Sequence, residues 1–107
     1  MIYLTATTPI MIATAPADFR AGIDGFVARC QHRLRQDPRS GTLYVFINRA
    51  RTMVRILVYE SNGYWLMTKR LSKNRYRGWP SGPEPISAIQ AQQLRQLLTN
   101  MIDSAHE

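Results

Sequence analysis

The sequence predicts an α+β fold in a single domain: an antiparallel β-meander, joined by an N-terminal strand, packed against one or two helices. Three observations carry this prediction. Residues 42–70 form three strand-length runs, apolar or alternating, separated by short turns. Residues 19–34 and 94–102 instead space their apolar side chains by three and four, the helical period. The chain has 107 residues, 45% hydrophobic and 20% charged, which suits one core and leaves little room for a second.

Taken in order, Met1 to Ile12 places Ile2, Leu4, Ile10, Met11 and Ile12 among threonines, which reads as one or two short strands broken at Pro9. Asp18 is then a candidate N-cap. Phe19, Ile23, Phe26, Val27, Cys30 and Leu34 trace one face of a helix over 19–35. Gly22 and Gly25 fall inside it, so a short first turn with the regular helix starting near Gly22 is an equal alternative. Asp37-Pro38-Arg39-Ser40-Gly41 closes this element with turn chemistry.

Thr42–Ile47, Met53–Tyr59 and Tyr64–Arg70 are the three strands of the meander. Asn48–Thr52 is a basic turn, and Asn62-Gly63 is the preferred pair for a type I′ hairpin. Residues 78–86, with Pro80, Gly82, Pro83 and Pro85, read as a linker. Ser87 and Gln90 match a capping box opening a C-terminal helix, with Leu94, Leu97, Leu98, Met101 and Ile102 on its apolar face. A frayed tail is expected over 103–107.

Charge is the most informative number. Twelve Arg and two Lys stand against seven Asp and Glu, a formal net charge of +7. Between 49 and 77 lie Arg49, Arg51, Arg55, Lys69, Arg70, Lys73, Arg75 and Arg77, with Glu60 the one acidic residue. The rest of the chain balances six basic residues against six acidic ones. All of the net charge therefore sits in one stretch, with Tyr76 between its last two cations and Trp79 two residues beyond them. Such a pattern suits a polyanion: arginine forks and lysines neutralise phosphates while Tyr76 or Trp79 stacks on a base. The alternatives are a solvated basic loop with its aromatics packed on the sheet, and, for Arg51, an ion pair within the domain.

Other chemistries find little support. Two-metal phosphoryl transfer needs converging carboxylates. Asp18 and Asp24 are the pair that comes nearest, but six residues is not a same-face helical spacing. Cys30 lies on the apolar helix face, two residues from His32, so neither a nucleophile nor a Cys–His pair is expected there. One cysteine excludes an intramolecular disulfide. No glycine pattern matches a phosphate loop or dinucleotide fingerprint, so no catalytic residue, metal or cofactor is assigned. No signal peptide and no run of 18 apolar residues is present, so a cytoplasmic protein without membrane contact is expected.

Together, the ordered blocks resemble a known family, the small TnpB-type accessory protein encoded by the second open reading frame of bacterial insertion sequences of the sixty-six family. That family is unrelated to the RNA-guided nuclease of the same name. Its opening block corresponds to Asp18-Phe19-Arg20-Ala21-Gly22-Ile23-Asp24-Gly25, and its Asp-Pro-x-Ser-Gly turn to Asp37–Gly41. The aromatic strand and basic turn match Val45–Arg51, and the following strand and hairpin match Ile56–Tyr59 and Gly63-Tyr64-Trp65-Leu66. Lys69-Arg70-Leu71, Trp79-Pro80 and the Gln92–Leu98 helix complete the series. The chain departs from the pattern at Phe19, Ala21, Tyr59-Glu60 and Ser72, and by one extra residue at Gly78.

The resemblance implies a non-enzymatic helper of transposition, encoded beside a larger transposase that carries the catalytic chemistry. DNA contact through the arginine-rich face is an inference from the charge map. Two other readings stand beside it. One is a protein-interaction module that docks the transposase through the same basic and aromatic loop. The other is a small metal-dependent nuclease built on Asp18 and Asp24. Oligomeric state is left open by the sequence.

Overall fold

A computed structural model describes residues 4–99 and the backbone of Met101 and Ile102. The elements are β1 (Ile10–Ala13), α1 (Ile23–His32), β2 (Leu43–Ile47), β3 (Met53–Glu60), β4 (Gly63–Arg70), β5 (Arg75–Tyr76), β6 (Ile86–Ile89), α2 (Ala91–Thr99) and β7 (Met101–Ile102). Five strands form one sheet in the order β4-β3-β2-β1-β6, and β5 pairs with β7 in a second, two-stranded one. Every pairing is antiparallel except β1 with β2. A parallel pair needs a crossover, and α1 with its flanking loops supplies it.

The alternation of side chains along the strands builds two cores, one on each face of the sheet. On one face Phe26, Cys30 and Leu34 of the α1 region pack on Ala13, Tyr44, Phe46 and Leu57. On the other, Ala91, Leu94 and Leu97 of α2 join Tyr76 and Trp79 over Ile10, Ile12, Val45, Val54 and Val58. All five residues of β2 are buried because this central strand is covered on both sides. Burial of each such aliphatic side chain contributes about 1.5–3 kcal/mol. That double cover explains why Leu43–Ile47 reads as an unbroken apolar run rather than an alternating one.

Several elements differ from the sequence reading. The regular helix starts at Ile23 with Gly22 at its N-cap, so the alternative of a short preceding turn holds and the start at Phe19 does not. Asp18 caps no helix; its carboxylate accepts the backbone N–H of Arg20 at 2.9 Å. Gly25 sits inside α1 because a Cβ there would lie 2.6 Å from that of Ala21. The helix also stops early, at His32, where Arg35 turns left-handed (φ 57°) and Gln36 donates its N–H to the Cys30 carbonyl.

The hairpin turn is Ser61-Asn62 rather than Asn62-Gly63, since Glu60 and Gly63 already pair and Ser61 takes the positive φ. The larger correction concerns 86–90. Residues 78–85 carry no helix or strand, but the expected capping box falls on β6, whose Ile86–Ile89 pairs with β1. Ser87 lies within that strand, so α2 begins only at Ala91. Half of a capping box exists three residues later, where the Gln93 side chain accepts the Gln90 backbone N–H at 2.7 Å. The expected tail at 103–107 lies outside the described residues. Among the described residues, no helix is long and apolar enough to cross a membrane.

Candidate nucleic-acid interface

One end of the sheet gathers most of the basic stretch, and Asn48 shapes the turn that does so. Its side-chain oxygen accepts the backbone N–H groups of Thr52 (2.9 Å) and Met53 (3.1 Å), while its Nδ2 donates to the Thr52 hydroxyl. Asn48 thereby closes the β2–β3 turn from within and leaves Arg49, Ala50 and Arg51 exposed at its tip. Arg51 adopts φ 63°, the left-handed conformation the tight turn needs. The chain then returns to this end after β4. Leu71 donates its N–H to the Thr52 carbonyl and Tyr76 to the Arg51 carbonyl, at 3.0 and 2.8 Å. These bonds hold the 71–77 loop against the turn. Arg70, Lys73, Arg75 and Arg77 are therefore brought to the same end as Arg49 and Arg51, all exposed. Lys69, also exposed, points to the α2 face, where its ammonium donates to the Leu98 carbonyl.

Beside the turn lies an open cleft of about 610 Å³, lined by Ala17–Arg20, Asn48–Ala50 and Met53. Ala17 fixes its far wall through a bridge to Asn48 and an N–H bond to the Ile47 carbonyl at 2.8 Å. Asp18 and Arg20 form a bidentate pair in this wall, at distances of 2.6–3.1 Å. Hydrogen bonds from the Arg20 side chain and backbone, helped by the charge of Arg49, hold the Asp18 carboxyl down at about 2. Two blocks far apart in sequence, 18–20 and 48–50, thus meet in one cleft whose Arg49 edge is continuous with the basic end.

Besides Lys69, three of the expected DNA-contacting residues belong elsewhere. Arg55 points inward on the α1 face. Its guanidinium donates to the carbonyls of Phe19 (2.7 Å) and Ala21 (2.9 Å) and to the Thr68 hydroxyl (2.9 Å). It also lies 4.9 Å from the Phe19 ring centroid and 5.5 Å from that of Phe26. Arg55 is thus a strut between sheet and loop. Trp79 is 7% exposed and donates its indole N–H to the Ala13 carbonyl, and Tyr76 is 1% exposed in the same core. Neither ring offers a face for a base, so neither can take the stacking role expected of it. The reason is topological: β5 and the loop after it cross over the sheet and use these aromatics to close its second face. Asn48 is the positioning residue that sequence reasoning missed; an Asn opening a five-residue turn that ends in Thr was its signal.

The same geometry bears on catalysis. Among the described residues, no group of three or more His, Cys, Asp and Glu side chains comes together to hold a metal ion. Asp18 is engaged by Arg20, and Asp24 is exposed in the first turn of α1. Cys30 is fully buried, and burial pushes its thiol up to about 11, which keeps it protonated and unreactive.

Comparison with known proteins gives a consistent result. A family model described as "IS66 Orf2 like protein" matches residues 8–106. Two proteins of Sinorhizobium fredii (strain NBRC 101917 / NGR234) are similar to this chain. "Uncharacterized protein y4hO" is 35% identical over 97 residues, which is 91% of this chain and 83% of that protein. "Uncharacterized protein y4jC" is 36% identical over 67 residues, 63% of this chain and 57% of that protein. No solved structure matches the chain.

Proposed function

The chain belongs to the IS66 Orf2-like family, an insertion-sequence-associated accessory protein, and from that premise we propose that it is a non-enzymatic helper of transposition that contacts DNA phosphates through the basic end of its sheet. The observation that carries this reading is the convergence of Arg49, Arg51, Arg70, Lys73, Arg75 and Arg77 at one end, with backbone bonds holding turn and loop together. Arginine forks suit phosphate oxygens, and several cations spread over one end suit a chain of phosphates better than a single small ligand. Phosphate binding needs no base stacking, so the burial of Tyr76 and Trp79 leaves it intact. It does remove the exposed aromatic anchors from the alternative in which the same loop docks the transposase.

Binding of the purified protein to a labelled element-end duplex and to a scrambled duplex, over a series of salt concentrations, tests the reading. With about five phosphates neutralised, log affinity falls against log salt with a slope near −4.5. Equal affinity for the two duplexes identifies a backbone-binding helper, and preference for the element end a site-recognition factor. Absence of binding at the lowest salt rejects DNA as the ligand and makes an acidic surface of the transposase the next one to try.

A further inference from the structure

We propose that β4 pairs antiparallel with β4 of a second copy of this chain, joining two five-stranded sheets edge to edge across a two-fold axis. The inference does not depend on the DNA reading. Strand β4 is the outermost strand and pairs with β3 along all eight residues without a bulge. Its other side is therefore a long, regular row of backbone donors and acceptors. Soluble proteins blunt such edges with prolines, bulges or charges near the middle. Here Gly63–Thr68 contains no charge and no proline, and Lys69 and Arg70 stand only at the end. Trp65 and Met67 are 50% and 37% exposed on the same face of this strand. The opposite edge of the sheet contrasts with it: β6 has four residues and follows Pro83 and Pro85.

The strand is complementary to itself. Symmetric pairing keeps side chains on matching faces when Leu66 lies on the axis. Trp65 then faces Met67 of the second copy, and Met67 faces its Trp65, giving two sulfur–aromatic pairs. Lys69 falls opposite Gly63, and Arg70 opposite Asn62, so no like charges are opposed. Each basic end comes to rest beside the other copy's turn, next to Glu60. The two Arg70 positions lie about 27 Å apart along the strands, well beyond a Debye length of about 10 Å. Repulsion between the two basic ends is therefore largely screened in this pairing.

Sedimentation equilibrium of the full chain over a range of concentrations tests the proposal, with circular dichroism to verify that each variant folds. The wild type should reach twice its 12.3 kDa mass. Trp65→Lys/Met67→Lys sets lysine against lysine twice across the axis and should weaken the dimer roughly a hundredfold. Trp65→Lys/Met67→Glu sets lysine against glutamate in the same register and should keep it. A monomeric wild type overturns the proposal, as does a Lys/Lys variant that associates like the wild type. A Lys/Glu variant as dissociated as the Lys/Lys one overturns the register.

Discussion

The middle of the meander and its basic end carry the same residue type and use it in opposite ways. In the middle, Arg55 lies across the α1 face and gives its donors to Phe19, Ala21 and Thr68. A few residues earlier in the chain, Arg49 and Arg51 sit on a turn closed internally by Asn48 and project into solvent. The difference lies in what satisfies the backbone nearby. Phe19 and Ala21 lie in the loop before α1 and present carbonyls that need a donor, and Arg55 provides it. The β2–β3 turn supplies its own donors and acceptors, so its arginines are left exposed to solvent. Charge density along a sequence registers the sum of these two populations.

The contrast can be broken by mutation. The largest effect is expected just past the basic stretch: Trp79→Ala removes the indole from the second core and should cost about 3–5 kcal/mol in chemical denaturation. DNA affinity should be unchanged at temperatures where the variant remains folded. Arg55→Ala follows, at about 2 kcal/mol, because two loop carbonyls lose a charged donor in a partly buried place. Arg55→Lys should rescue little, since an ammonium cannot span both carbonyls as a fork does. The smallest effect belongs to Asp18. Its carboxyl titrates near 2 when folded, below its ordinary 3.8, so the Arg20 pairing stabilises the fold above about pH 4 and is lost as pH falls through 2. Asp18→Asn should flatten the melting temperature across that window, and an NMR titration midpoint near 3.8 in the wild type would show that the pair does not form.

The meander was readable because its signals are local. Alternation in Met53–Tyr59 and Tyr64–Arg70 and the β-branched run of β2 place three strands within one or two residues of their observed ends. After Arg70 the C-terminal helix was readable from its apolar spacing, but β5, β6 and the burial of Tyr76 and Trp79 were not, because distant partners set them. Trp79 is fixed by the carbonyl of Ala13, 66 residues away, and Thr14 holds Glu84 and Pro85 through its hydroxyl and N–H. With prolines before it and four residues of its own, β6 is a strand only because β1 offers it an edge. The same limit applies to the candidate site. The sequence located the basic residues, but separating Arg55, Tyr76 and Trp79 from the exposed cations required knowing which face each strand turns to the core.

We propose that the exposed arginines at the end of the sheet, and not Arg55, meet DNA phosphates. This proposal is tested most directly by the salt dependence of duplex affinity for the wild type, Arg55→Ala and Arg75→Glu/Arg77→Glu. The double reversal should lower affinity for all sequences alike and make the slope shallower by about 0.9 for each phosphate no longer neutralised. Folded Arg55→Ala should keep the wild-type slope. A double reversal that binds like the wild type, or an Arg55→Ala variant whose slope flattens instead, would contradict it.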